Sequence, residues 1–142
     1  MNELNIEVVR IGFENKEILN NIDEEIFDGR IDQHLLASYL QESNHIMLVA
    51  IIDDLVVGQV LGVIHKHPDK NTELYIDDLA VSEIYQRNKI ATKLFAALIK
   101  FGKENYSKEL WVATEPENTI ARKFYESLGL VQRNVVVFEG DL

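Results

Sequence analysis

In the middle of the chain, hydrophobic positions first follow the spacing of a strand and then that of a helix. An aliphatic run over 74–81 breaks at the polar pair Ser82-Glu83, and apolar residues recur at helical spacing from Ile90 to Phe101. The pattern predicts a strand, a short polar turn and a helix. The free N–H groups and positive dipole end at the start of such a helix favour a phosphate or pyrophosphate. We therefore expect an anion site at this turn.

Upstream of this segment, the pattern predicts a strand, two helices and a hairpin. Residues 6–11 alternate weakly, as in a strand. Apolar residues then share one face in each of two segments, 15–27 and 32–43, which begin with residues suited to cap a helix. Two β-rich runs on either side of Asp53-Asp54 predict a hairpin with a two-residue turn.

Downstream, the pattern predicts a short strand over 109–113, a helix that starts near Asn118 and stops at Gly129, and a closing hairpin over 130–138. The strand ending at Val81 and the short strand are joined through a helix. They should therefore lie parallel, in a right-handed crossover.

Composition limits the classes of protein that fit. The 142 residues, 46% of them hydrophobic, suffice for one domain over 1–142. No segment resembles a signal peptide or a bilayer span, so we expect a soluble, cytoplasmic protein without membrane contact. The formal charge of −10 opposes nucleic-acid binding and would attract a cationic substrate, although a negative surface also simply aids solubility.

No metal site or covalent catalysis is predicted. The chain has no cysteine, which excludes disulfides, thiolate metal sites and a cysteine nucleophile. His65 and His67 lie in the polar loop 65–72 without the carboxylate–histidine spacing of a metal site, so we expect them to be exposed.

Two motifs carry a family resemblance. Leu79-Ala80-Val81 followed by QRNKIA over 86–91 resembles the acetyl-coenzyme A signature of the GNAT acetyltransferases, Gln/Arg-x-x-Gly-x-Gly/Ala after a strand. NTIARKFYESLGL over 118–130 resembles the second motif of that family, Asn-x-x-Ala-x-x-Phe-Tyr-x-x-x-Gly-Phe. The resemblance implies a GNAT fold: a mixed α/β, mostly antiparallel sheet with one parallel pair that splays apart to admit the pantetheine arm, flanked by about four helices.

The resemblance also implies acetyl-coenzyme A as cofactor and a set of residues that hold it. Backbone groups of the strand end would pair with pantetheine, and the helix start would bind the pyrophosphate. Lys89 stands at a motif glycine; either it adopts an ordinary helical start and adds a cation, or it impairs the site. The expected cofactor-binding residues are Leu79, Ala80, Val81, Gln86, Arg87, Asn88, Lys89, Ile90, Ala91, Thr92 and Asn118.

Tyr125 and Asp78 are the candidate catalytic residues. Tyr125 aligns with the tyrosine that GNAT enzymes often use to protonate the departing thiolate; the alternative is a core aromatic beside Phe124. The stretch around Asp78 is most similar to the aminoglycoside 3-N-acetyltransferases, where an acid aligns with it. The carboxylates expected to bind the substrate are Glu73, Asp77, Asp78 and Glu115. Strand alternation separates Asp78 from Glu73 and Asp77 unless a bulge intervenes, and these acids could instead be merely solvated.

These residues together indicate an N-acetyltransferase that acts by direct attack on a small cationic amine, aminoglycoside-like or polyamine-like. Acetylation of a protein N-terminus or a lysine side chain is the alternative enzymatic reading. A non-catalytic acyl-coenzyme A binding module is the alternative from another class, because of Lys89. The final hairpin also offers an edge through which a homodimer could form.

Overall fold

Five β-strands form one sheet in the order in which they occur in the chain. This computed structural model describes residues 4–23, 25–87 and 89–142. Its strands are β1 (Glu7–Arg10), β2 (His45–Ile52), β3 (Leu55–His65), β4 (Glu73–Val81) and β5 (Glu109–Val112). Neighbours are antiparallel except β4 and β5, which are parallel. The predicted mixed sheet with one parallel pair is confirmed.

Three α-helices occur in these ranges, where about four were expected: α1 (Gln33–Gln41), α2 (Ile90–Glu104) and α3 (Thr119–Ser127). Short 3-10 segments occupy Lys16–Asn20 and Glu83–Tyr85. The chain forms two compact units, residues 1–112 with the sheet, α1 and α2, and residues 113–142 with α3. In the described part, no helix combines the length and apolarity that a bilayer crossing needs.

The helix predicted over 15–27 does not form in its described residues, 15–23 and 25–27. The 3-10 segment Lys16–Asn20 takes its place, because the residues that follow this segment run alongside β3. The Val56 N–H donates to the Asn21 carbonyl at 2.9 Å, and the Asp23 N–H donates to the Val56 carbonyl at 3.0 Å. A chain extended along a strand cannot also satisfy the hydrogen bonds of a helix, so tertiary pairing overrides the apolar pattern.

Two other local predictions are confirmed. The Asp32 carboxylate accepts a hydrogen bond of 3.0 Å from the Leu35 N–H and so caps α1. Asp53 and Asp54 have φ angles of 48° and 66°, the positive values that a two-residue hairpin turn between β2 and β3 requires.

Helix α2 packs on the sheet where β3 carries two glycines. A Cβ atom at Gly62 would lie 2.6 Å from Leu98 Cδ1, and one at Gly58 would lie 3.2 Å from Leu94 Cδ1. The glycines therefore allow a close approach of helix and strand, with Leu94 and Leu98 fully buried. The opposite face of the sheet packs against α1 and the residues before it, through a core that includes Leu36 and Val49.

In the second unit, the closing hairpin predicted over 130–138 is wrong, since no strand occurs in residues 128–142. Val131 and Phe138 are 93% and 92% exposed, so the segment buries no apolar face. Two short strands joined at Asn134, without the glycine that favours a tight hairpin turn, are marginal unless they pack against something else.

Candidate active site

Strand β4 contains one more residue than its partner β3 near the middle of the sheet. Leu61 pairs with Asp78, whereas the next residue of β3, Gly62, pairs with Ile76, so Asp77 is the extra residue of a β-bulge. Cross-strand partners lie on the same face of a sheet. Asp78 therefore points to the face of Leu61, opposite to α2.

The bulge brings residues together that strict alternation would separate. Before it, Tyr75 pairs with Val63, which lies two residues from Leu61 and so on the same face. Asp78 thus shares a face with Tyr75 and Glu73, whereas unbroken alternation would place it on the opposite face.

Beyond the bulge, β4 pairs with β3 on one side but, within the first unit, has no strand partner on the other side. Pairing between β4 and β5 covers residues 73–76 and ends with Ile76 opposite Val112. Residues 78–81 continue to pair with β3. On the side of β5, the backbone of Asp77 to Val81 therefore presents an edge to which an extended ligand carrying amide groups can hydrogen-bond.

Helix α2 starts close to the end of this edge, and its first amides are uncapped. The Lys89 side chain makes no cap hydrogen bond, and the first intrahelical bond runs from the Lys93 N–H to the Lys89 carbonyl at 3.0 Å. The N–H groups of residues 90–92 precede that bond and have no acceptor within the helix. Gln86 ties the turn to β4, since its amide donates to the Val81 carbonyl at 3.2 Å.

The expectation of an ordinary helical start at Lys89 is wrong. Lys89 has φ 62° and ψ 20°, and Arg87 has φ 69°, so both adopt the left-handed conformation that favours glycine. Lys89 thus adopts a conformation that glycine takes up readily, and its side chain adds a cation. Uncapped amides beside basic residues fit a pyrophosphate. The motif residue Asn88 lies outside the described residues.

The carboxyl group of Asp78 is half-buried and held on both oxygens. Its Oδ2 accepts a hydrogen bond of 2.8 Å from the Gln59 Nε2, and its Oδ1 accepts one of 3.0 Å from the Leu79 N–H. Burial raises the pKa of Asp78, although the bond from Gln59 opposes the rise. The negative charges of Asp28 and Asp77 raise the pKa further. Three carboxylates therefore face one region of the sheet.

Two aromatic rings lie on the same face as this acidic region. Tyr75 and Trp111, partners across the parallel pair, have ring centroids 4.3 Å apart, and Trp111 is 41% exposed. Burial and then the charge of Asp77 raise the pKa of Tyr75, and the same two causes raise that of Tyr39 on α1. The charge of Asp77 thus reaches both tyrosines.

The fold does not place Glu73 beside Asp77 and Asp78. It begins β4, five residues before Asp78, and a strand advances about 3.3 Å per residue. Its Oε1 lies 3.0 Å from His67 Nε2 and 3.7 Å from Lys70 Nζ. The prediction that His67 is exposed is wrong, because its side chain is only 14% exposed beside Glu73.

Asn118, Glu115 and Tyr125 belong to the second unit. The Asn118 side chain caps α3 by accepting a hydrogen bond of 3.1 Å from the Ala121 N–H. Glu115 is exposed, and its carbonyl accepts from the Asn118 N–H at 3.0 Å. Tyr125 is partly buried in α3, with its ring centroid 5.3 Å from that of Phe124.

Sequence reasoning did not find Gln59, Asp28 or Trp111. Gln59 had a usable signal, since it is a polar residue inside the apolar run LVVGQVLGV. Asp28 lies in an irregular segment and is placed near Asp78 only by the fold. In the sequence, Trp111 looks like an ordinary strand residue, and only the structure shows that its side chain is exposed.

The free edge of β4 and the uncapped start of α2 together suit an extended ligand that carries both amide groups and a pyrophosphate. Comparison with protein families identifies the class of protein. The model of the acetyltransferase (GNAT) family matches residues 16–130. The chain belongs to this family and is an acetyl-coenzyme A-dependent N-acetyltransferase, as the two motifs implied.

Similar proteins of known sequence include two kinds of acetyltransferase. The aminoglycoside N(6')-acetyltransferase type 1 of Salmonella typhimurium LT2 is 24% identical over 122 residues, 81% of this chain and 84% of that protein. This relative is named for the 6' position, whereas the sequence motifs resembled the 3-N type. The N-alpha-acetyltransferase 30 of Schizosaccharomyces pombe is 35% identical over 81 residues, 57% of this chain and 54% of that protein.

Solved structures share the fold. Aminoglycoside acetyltransferase AAC(6')-Iy, in complex with the bisubstrate analogue CoA-S-monomethyl-acetylneamine, has a TM-score of 0.82 at 21% identity, covering 97% of this chain and 99% of that one. An aminoglycoside acetyltransferase from an uncultured soil metagenomic sample, in complex with trehalose, has a TM-score of 0.81 at 24% identity, covering 96% of both chains. The predicted GNAT fold is confirmed.

Proposed function

We propose that this enzyme acetylates a primary amine of a small polycationic acceptor, aminoglycoside-like or polyamine-like. The observation that carries the proposal is the group of three carboxylates, Asp28, Asp77 and Asp78. Asp28 and Asp77 raise the pKa of Asp78 through their charges, and none of the three has an ion-pair partner among residues 4–23, 25–87 and 89–142. Carboxylates held together without cations favour a ligand that brings several positive charges.

The exposed ring of Trp111 supports the same class of acceptor. Aromatic faces attract ammonium groups and pack against the apolar faces of sugar rings. Trp111 shares the sheet face of Asp78, beside Tyr75, so an amino sugar would find ring and carboxylate contacts together. The names of the bacterial relative and of both solved structures, which are aminoglycoside acetyltransferases, agree with this substrate class.

Acetyl-coenzyme A would be held by the free edge of β4 and the start of α2. Leu79 and Val81 would offer backbone groups to the pantetheine amides, with Ala80 between them. The amides of Ile90, Ala91 and Thr92 would bind the pyrophosphate, and Arg87 and Lys89 would add cations. Gln86 would keep the turn in place. Roles for Asn88 and Asn118 remain predictions from the motifs, and Asn118 already caps α3.

In the proposed reaction, the amine attacks directly and no covalent enzyme intermediate forms. Acetyl-coenzyme A supplies the acetyl group as a thioester. Asp78 would hold the ammonium group and accept its proton through water, and its raised pKa makes it a better base than an ordinary aspartate. Asp77 would bind further cationic groups, and Glu115 stays a predicted acceptor contact. Tyr125 would give a proton to the leaving thiolate.

A thiol-release assay with acetyl-coenzyme A tests the acceptor. We expect turnover with aminoglycosides or polyamines and little with sugars that carry a single amine. Salt should raise the KM of the active amines, because it screens the carboxylates. Equal turnover of monoamines and polycationic amines would contradict the proposal.

Acetylation of a peptide N-terminus is the second candidate, and one observation favours it: the similarity to N-alpha-acetyltransferase 30. A panel of peptides with free N-termini, run in the same assay, separates the two functions. Peptide turnover without aminoglycoside or polyamine turnover would support the second candidate.

We further propose that residues 1–142 work as a single domain, and the family match across residues 16–130 supports this, because it extends from the first compact unit into the second. The homodimer and the cytoplasmic location stay predictions. Analytical ultracentrifugation of the purified chain tests the dimer.

A further inference from the structure

Gln59 is a buried polar residue in the middle of the central strand β3. It is 0% exposed, and its neighbours Val57 and Val60 are equally buried. Both hydrogens of its amide are used: Nε2 donates to the Ile26 carbonyl at 2.8 Å and to Asp78 Oδ2 at 2.8 Å. A glutamine at a fully buried site is costly unless its hydrogen bonds serve a purpose.

The buried oxygen of the same amide, Gln59 Oε1, is without a hydrogen-bond partner among residues 4–23, 25–87 and 89–142. An apolar side chain of similar volume would fill the position without leaving a buried oxygen unsatisfied. Packing therefore does not explain why glutamine stands here, but its two donated bonds do.

These two bonds connect the two parts of the chain that supply the acidic residues, the segment of Asp28 and strand β4. Ile26 lies two residues before Asp28 in the segment that leads to α1, and Asp78 lies on β4. One amide thus holds the segment that carries Asp28 and the carboxylate of Asp78 at the same time. With the bond from the Leu79 N–H to Oδ1, it leaves the Asp78 carboxylate a single orientation.

We propose that Gln59 is a positioning residue for acetyl transfer, which orients the Asp78 carboxylate and keeps Asp28 beside it for the cationic acceptor. This inference rests on the proposed function of Asp78. Gln59 itself is buried and does not touch the acceptor. Its contribution acts through Asp78 and the segment at Ile26.

The test is Gln59→Met, which keeps the length of the side chain and removes both donors. The titratable groups that face Asp78 are Asp28 and Asp77, whose charges raise its pKa, whereas the hydrogen bond from the Gln59 side chain lowers it. Without that donor the ionised carboxylate is less stable. We therefore expect the acidic limb of the pH profile of kcat/KM to move to higher pH, with roughly a tenfold loss near neutral pH and unchanged affinity for acetyl-coenzyme A.

Ser82→Ala is the matched control. The Ser82 hydroxyl donates to Asp23 Oδ2 at 2.7 Å and so ties the same segment to the end of β4 without touching Asp78. This variant should leave the acidic limb where it is. An equal shift of the limb in both variants would assign the effect to a loosened segment and overturn the role of Gln59.

A double-mutant cycle with Asp78→Asn decides whether Gln59 acts through Asp78. We expect Gln59→Met to change kcat/KM little in the Asp78→Asn background, whereas a full tenfold loss there overturns the proposal. Carboxyl-carbon NMR titration of Asp78 adds a readout that needs no turnover, and an unchanged pKa in Gln59→Met also overturns it. If the wild type acetylates no small amine, the proposed function fails, but this titration still tests whether Gln59 controls the pKa of Asp78.

If Gln59→Met does not fold, Gln59→Glu takes its place. It should also raise the pKa of Asp78, since it sets another carboxyl group beside that of Asp78.

Discussion

Replacing Lys89 by glycine tests the backbone at the start of α2. Lys89 has φ 62°, and a left-handed conformation costs a residue with a Cβ atom about 1–2 kcal/mol. Glycine would remove this strain, but it also makes the unfolded chain more flexible, which lowers the stability of the folded protein by about 0.4–1 kcal/mol. We expect Lys89→Gly to raise the free energy of unfolding by about 0.5–1 kcal/mol, which for a chain of 142 residues raises Tm by about 2–4 °C.

Thermal unfolding without ligand measures this effect, with two controls. Lys89→Ala removes the charge but keeps the left-handed strain, so its Tm should not rise. Lys93→Gly places glycine inside α2 and should lower the stability by about 1 kcal/mol. A Tm of Lys89→Gly at or below that of the wild type, or a rise shared by Lys89→Ala, would refute the backbone explanation.

Calorimetry with acetyl-coenzyme A on the same variants separates strain from charge. If the Lys89 cation contacts the pyrophosphate, Lys89→Gly and Lys89→Ala should bind more weakly by similar factors, and salt should weaken the wild type most. A large gain in affinity for Lys89→Gly would instead show that the lysine obstructs the cofactor.

Three further predictions concern Tyr125, Asp28 and Asp78. Tyr125→Phe should lower kcat by roughly 10²-fold or more with little change in acetyl-coenzyme A affinity, and equal activity would remove Tyr125 from the mechanism. Asp28→Asn should raise the KM of polycationic amines several-fold at low salt and less at high salt, as steady-state kinetics can check. The free energy of unfolding of the wild type should fall, relative to that of Asp78→Asn, as pH rises above the unfolded pKa of aspartate, because the folded-state pKa of Asp78 is raised. Chemical unfolding of both proteins at several pH values checks this, and a difference that does not change with pH would contradict it.

Local patterns determined much of the first unit. The strand β4, the polar turn after it and the helix α2 each follow from residues a few positions apart, and the structure confirms all three. The Asp32 cap and the Asp53-Asp54 turn are equally local. The two motifs pointed to the family because each is a short run of neighbouring residues that can be read without knowing the fold.

Contacts distant in sequence decided the rest. The segment 15–27 has an apolar face, but its residues Asn21 and Asp23 pair with Val56, so the predicted helix does not form in the described residues of this segment. The β-bulge at Asp77 depends on the register with β3, and it decides which face Asp78 points to. The 130–138 segment has β-forming residues, yet it forms no strand, and Val131 and Phe138 are exposed.

The composition of the candidate site shows the same division. Asp77 and Asp78 could be chosen from the sequence because they lie on the strand of the cofactor motif. Asp28 and Gln59 join them only after folding, because the strand pairing of β3 and the packing of the segment around Ile26 bring three distant parts of the chain to one carboxylate. Spacing along the chain indicates which residues can form a helix or a strand, whereas sheet register and packing decide which of these residues come into contact.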